Sequence, residues 1–133
     1  DFELSATAPI LVGQYMQGSR SPGGNNVGDP AFTLSVPIQQ WRQDYIVLTP
    51  NAYNNGDYLN VTARAGTEVM LDGNVIGGWT PIAEGTFAVA KVTVEDGSHT
   101  LLSDATFTVT AYGYDSDVSY AYPGGLNLEA INQ

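Results

Sequence analysis

A period of two, broken every few residues by turn chemistry, constrains this chain more than any other feature. Phe87-Ala88-Val89-Ala90-Lys91-Val92-Thr93-Val94 sets Ala88, Ala90, Val92 and Val94 on one face and Lys91 and Thr93 on the other, the signature of a half-buried strand. Asp44–Thr49, Tyr58–Ala63, Thr67–Leu71 and Thr106–Tyr112 are equally short and rich in β-branched or aromatic residues. Between them stand turn formers: Asn54-Asn55-Gly56-Asp57, Ala65-Gly66, Asp72-Gly73-Asn74, Gly77-Gly78, Glu84-Gly85 and Glu95-Asp96-Gly97-Ser98. No long segment carries the i, i+3, i+4 stripe of an amphipathic helix. The pattern predicts an all-β fold, an antiparallel β-sandwich of jelly-roll-like or immunoglobulin-like topology. Its 133 residues fit one domain spanning 1–133.

Two stretches interrupt the rhythm and read as long polar loops. The first is Gln17 to Pro30, rich in Gly, Ser and Asn; the second is Asp115 to Gly125, acidic and then aromatic. The segments before them align as a weak repeat, Ser5–Gln17 against Leu102–Tyr114, with Ala8 opposite Ala105, Val12 opposite Val109 and Tyr15 opposite Tyr112. The repeat predicts two equivalent strands whose loops emerge at one end of the sandwich.

Charge narrows the partners. Four Lys and Arg face fourteen Asp and Glu, a net charge of −10, which argues against nucleic acid and against anionic membrane surfaces. No apolar run reaches the ~20 residues of a spanning helix, so no membrane insertion is expected. The absence of cysteine excludes disulfide scaffolds, thiolate metal sites and cysteine catalysis. The opening Asp1-Phe2-Glu3 lacks a basic leader, so the chain reads as a mature or excised part of a larger surface protein.

Several constellations are candidates for chemistry. Asp115, Asp117 and Asp29, beside Asn25 and Asn26, supply oxygen ligands on two loops for a structural Ca²⁺; the competing reading is a solvated turn. Tyr112, Tyr114, Tyr120 and Tyr122 fall on shared strand faces, where rings beside Asn and Asp suit either ligand stacking or packing. Trp41, beside Gln39, Gln40 and Arg42, is a binding candidate or a plug for the end of the sandwich, and Trp79 reads as a plug. His99, the one histidine, has Ser98, Ser103, Asp96 and Asp104 nearby but no G-x-S-x-G elbow, so it is expected to bond a turn backbone instead of serving a triad. Lys91, the one lysine, is expected in solvent. The ligand-binding set is therefore Trp41, Tyr114, Tyr120, Tyr122, Asn25 and Asn26, with no catalytic residue.

Three groups of residues carry a resemblance. Asp96-Gly97-Ser98-His99-Thr100-Leu101, the strand closing on Tyr112-Gly113-Tyr114, and Ser119-Tyr120-Ala121-Tyr122-Pro123-Gly124-Gly125 form the first. Pro37-Ile38-Gln39-Gln40-Trp41 with Asp44-Tyr45 is the second, and Thr67-Glu68-Val69-Met70-Leu71-Asp72-Gly73 the third. Taken in chain order they resemble the IgGFc-binding domain family, and most closely its bacterial, myxobacterial-type members. The resemblance implies a module of large secreted or cell-surface proteins, with no family-wide catalytic motif to transfer. The combined expectation is a non-enzymatic extracellular adhesion or binding module that contacts a protein or glycan. Two alternatives stand beside it: self-association into a filament, sheath or matrix by strand docking, with the N-terminal strand set against another copy, and a secreted hydrolase using paired carboxylates.

Overall fold

The computed structural model describes residues 1–21 and 26–128. Its body is one curled antiparallel sheet built around β9 (Gly97–Asp115), a strand of 19 residues. The first half of β9 pairs with β3 (Arg42–Thr49) on one side and β5 (Met70–Leu71) on the other. The second half pairs with β10 (Val118–Pro123) and β4 (Asp57–Arg64). β6 (Asn74–Val75) extends the first half beyond β5. β8 (Phe87–Val94) and then β7 (Thr80–Ile82) extend the second half beyond β4.

A bend in β9 lets one strand serve both halves. Arg42 pairs with Phe107, but Asp44 already pairs with Leu102, so residues 103–106 bulge outward. The bulge is held from both sides. Ser103 Oγ donates to the Glu68 carbonyl at 2.6 Å, and Gln43 Nε2 donates to the Asp104 carbonyl at 2.5 Å. Bulges bend a strand and raise its twist, and here the bend folds the two halves face to face.

Alternation then decides what lies between them. His99, Leu101, Phe107, Val109, Ala111 and Gly113 of β9 are buried, all at odd positions. Tyr45 and Val47 of β3 meet Leu59, Val61 and Ala63 of β4 across the core, with Val69, Ile76 and Ala90. Phe107 is wholly buried at the bend; its ring meets Tyr45 edge-on at 4.9 Å, and its carbonyl accepts from the Tyr45 hydroxyl at 2.6 Å.

Two sequence expectations need correction. Asp115–Gly125 is not a long loop: a tight turn at Ser116-Asp117, with Asp117 at φ 53°, leads straight into β10. Its Val118, Tyr120 and Tyr122 alternate with Ser119 and Ala121, a strand pattern that the flanking Asp and Gly residues disguise. The repeat also fails. Residues 102–114 lie inside the central strand, whereas 5–17 contribute only β1 (Gly13–Tyr15), which pairs with β2 (Phe32–Leu34) in a separate ribbon. That ribbon lies beside β10, and residues 1–11 are exposed throughout.

A candidate binding groove between two edge strands

Curling leaves the sandwich with two flanks, and the first lies between β3 and β10. Tyr120 and Tyr122 sit opposite Gly113 and Ala111 and so share the inward face of the sheet, leaning across towards β3. The Tyr122 hydroxyl donates to the Leu48 carbonyl at 2.6 Å and accepts from the Leu48 N–H at 2.7 Å. One phenol thereby satisfies both main-chain groups that β3 turns away from β9 at Leu48. The following segment completes the seam. Gly124 N–H donates to Val109 at 2.8 Å and Asn127 N–H to Gln40 at 2.8 Å.

Beside this seam runs an open groove of about 490 Å³ lined by Ile46, Leu48, Pro50, Tyr53, Tyr120 and Tyr122. Ile46 is 73% exposed and Leu48 60%, unusual for large aliphatic side chains in mid-strand. The aromatic wall is rigid. Tyr53 meets Tyr120 edge-on at 4.6 Å, and Tyr120 stacks on Tyr122 at 6.1 Å. The Tyr120 hydroxyl donates to the buried Asp57 carboxylate. Burial, and then that carboxylate, push the Tyr120 phenol far above its ordinary range. Burial likewise raises Asp57, aided by Asp96 and opposed by the Tyr120 hydrogen bond.

The remaining sequence candidates are dispersed. Trp41 is buried, donates from Nε1 to the Val36 carbonyl at 3.3 Å and meets Phe87 edge-on, so it plugs the core and presents no binding surface. Trp79 is half-buried with Nε1 on the Ile76 carbonyl. Tyr114 belongs to a second aromatic group, on the outer face, with Tyr58 and Tyr112. The end of the first long loop abuts it: Gly28 N–H donates to the Asp115 carbonyl at 2.8 Å, and Asp29 N–H to Ser119 Oγ at 3.0 Å. Asn26 is exposed there with φ 60°; Asn25 lies outside the described residues.

Asp115 accepts from Asn54 N–H and Nδ2, Asn55 Nδ2 and Ser116 N–H, and these donors hold its carboxyl below the usual range. It ties the β3–β4 loop to β9. Asp115, Asp117 and Asp29 are not gathered into a cluster; among the described residues no three acidic or histidine side chains are placed to hold a metal ion.

His99 uses both ring nitrogens, Nδ1 with Asp72 Oδ2 at 2.7 Å and Nε2 with the Glu95 carbonyl at 2.8 Å. Neither is left to take a proton from a serine. Burial works against its charge, but the Asp72 and Glu95 oxygens prevail and raise its pKa. Asp72 is lowered in turn by His99 and by the Thr100 N–H. Lys91 is exposed, 3.4 Å from the Asp1 carboxylate.

Of the groove's lining, Tyr120 and Tyr122 are sequence candidates, whereas Ile46, Leu48, Pro50 and Tyr53 are not. The signal was present. Tyr45-Ile46-Val47-Leu48 is apolar on both faces, and a strand with only one face in the core has no internal use for the second.

A family model described as IgGFc binding protein matches residues 1–113. No curated protein and no solved structure matches the chain. The matched span takes in Ile46, Leu48, Pro50 and Tyr53, while Tyr120 and Tyr122 lie beyond it.

Proposed function

The chain belongs to the IgGFc-binding family, and from that premise we infer that it is a non-enzymatic, extracellular protein-binding module whose contact surface is the β3–β10 groove. The family is described by binding, not by catalysis, and its domains are typically extracellular. Among the described residues no helix is long and apolar enough to cross a membrane.

The observation that carries the reading is the pairing of exposed Ile46 and Leu48 with tyrosine rings fixed by internal hydrogen bonds. Rings held in place before a partner arrives lose little freedom on binding, and tyrosine is enriched at such contacts. The same bonds favour protein over glycan. Sugar recognition needs polar groups free to read hydroxyls, yet the Tyr120 and Tyr122 phenols are already committed to Asp57 and Leu48. An extended segment with spaced apolar or proline side chains suits the groove best.

The test is selection of a displayed library of extended peptides, with purified IgG Fc as a second probe. Binders are expected to perturb the amide resonances of residues 46–53 and 118–123, and to weaken at least tenfold with Ile46→Glu and with Leu48→Glu. Binders that map to another face and ignore both substitutions would overturn the assignment.

A further inference from the structure

The second flank of the sandwich lies between β6 and β8, and it is unsealed. β7 covers the outer edge of β8 only at Phe87–Val89, so among the described residues no strand pairs with the Ala90–Val94 edge. Below that edge is a trough of about 560 Å³ whose apolar lining includes Leu71, Val75, Ile76, Val92 and Val94. Val92 and Val94 are only partly buried although they pack on the core. The rim carries Lys91.

The chain also carries a strand-patterned segment that lies in none of its strands. Residues 1–8 alternate without a break: Phe2, Leu4, Ala6 and Ala8 against Asp1, Glu3, Ser5 and Thr7. Such a stretch is built to bury one face, yet Phe2 is 77% exposed and Leu4 53%, and no strand includes them. Its polar face is acidic at Asp1 and Glu3, complementary to Lys91. That attraction is already visible within one chain, where Asp1 touches Lys91 at 3.4 Å.

We propose that residues 1–8 of one copy add as a strand to the Ala90–Val94 edge of a second copy, laying Phe2 and Leu4 into the β6–β8 trough. Main-chain hydrogen bonds to that edge supply affinity, and alternate side chains supply register. A second copy is the occupant because one chain leaves its own arm undocked: Asp1 meets Lys91, yet residues 1–11 stay exposed and Phe2 and Leu4 face solvent.

Sedimentation of the whole chain over a range of concentrations should give reversible self-association. Phe2→Asp with Leu4→Asp in one protein, and Val75→Glu with Lys91→Glu in another, should each weaken it at least about tenfold, since each removes buried apolar contact or reverses the rim charge. Each variant lacks a different half of the contact, so mixing the two should restore a heterotypic pair, and hydrogen exchange should then slow at residues 90–94 of the arm-variant partner. A strict monomer at millimolar concentration overturns the proposal. So does protection of residues 90–94 that is independent of concentration, which would mean docking within one chain. Association that survives both variants also overturns it, by placing the contact elsewhere.

Discussion

The two flanks are built from the same material, an edge strand facing another across the mouth of a curled sheet, yet they end in opposite states. Between β3 and β10 the gap is sealed by Tyr122 on the Leu48 main chain, Asn127 on Gln40, and Gly124 tucked against the core. Between β6 and β8 no comparable seam forms among the described residues; His99 and Asp72 pair at its base and Lys91 stands on its rim. Sealing an edge from within turns it into a fixed surface with aromatic relief, suited to binding something else. Leaving an edge open keeps its main-chain groups available, suited to receiving a strand. One fold thereby presents two kinds of flank, and the seam decides which is which.

The largest expected effect tests the seam directly. A Cβ added at Gly124 would lie 2.5 Å from Val109 Cγ1 and 2.9 Å from Val47 Cγ1, whereas at Gly77, on the open flank, nothing stands within 4 Å. Gly124→Ala should therefore cost about 1–3 kcal/mol through overpacking, and Gly77→Ala should stay within about 0.5 kcal/mol. Urea melts of both variants measure the difference. Equal losses would mean that the flanks are not packed differently.

Much of this architecture could be read from the sequence, and the limits of the reading are physical. Phe87–Val94 is a strand over the full stretch that its alternation marks, and the cores of β3 and β4 fall where Asp44–Thr49 and Tyr58–Ala63 predict. β9 could be read only in its second half, because Ser103-Asp104-Ala105-Thr106 breaks the apolar alternation just where the strand bulges. A bulge leaves no signature beyond a local lapse of pattern. The groove could be read only in part. Tyr120 and Tyr122 drew notice as aromatics, but their partner Leu48 lies 74 residues from Tyr122, and no local pattern reports a contact at that range. Trp41 misled because a large ring beside glutamines reads the same whether it plugs a core or faces a ligand.

Next in size is the hydroxyl on the seam. Tyr122→Phe keeps the ring in the groove and removes both bonds to Leu48. It leaves that strand's N–H and carbonyl to water, because the edge is exposed. The expected loss is about 1 kcal/mol, with faster hydrogen exchange at Leu48 and little change at Ala90–Val94. Acceleration spread evenly over both flanks would show that the phenol stabilises the whole sandwich and not one seam.

The smallest effect is a pH dependence that separates the flanks. His99, on the open flank, is raised by Asp72 and Glu95, so its stabilising contribution is complete below about pH 6.5, the ordinary histidine value, and is lost as pH rises through its folded value. Asp72 is lowered, so its contribution is present above about pH 4 and disappears as pH falls through its folded value. The pair should therefore support the fold best between about pH 4 and 6.5. Asp57, which holds Tyr120 of the sealed flank and also faces Val94 and acts on His99, is raised by burial; its charge weakens the fold as pH climbs from about 4 through its folded value. Asp57→Asn keeps an acceptor for Tyr120 and removes that charge, so melting temperature should hold or rise at pH 7 and match the parent near pH 4. Asp72→Asn should instead erase the decline above pH 6.5 and lower the melting temperature by a few degrees at pH 5.5. If Asp57→Asn erases that decline and Asp72→Asn leaves it, the titrating seam is the sealed one, and the open flank draws no stability from its histidine.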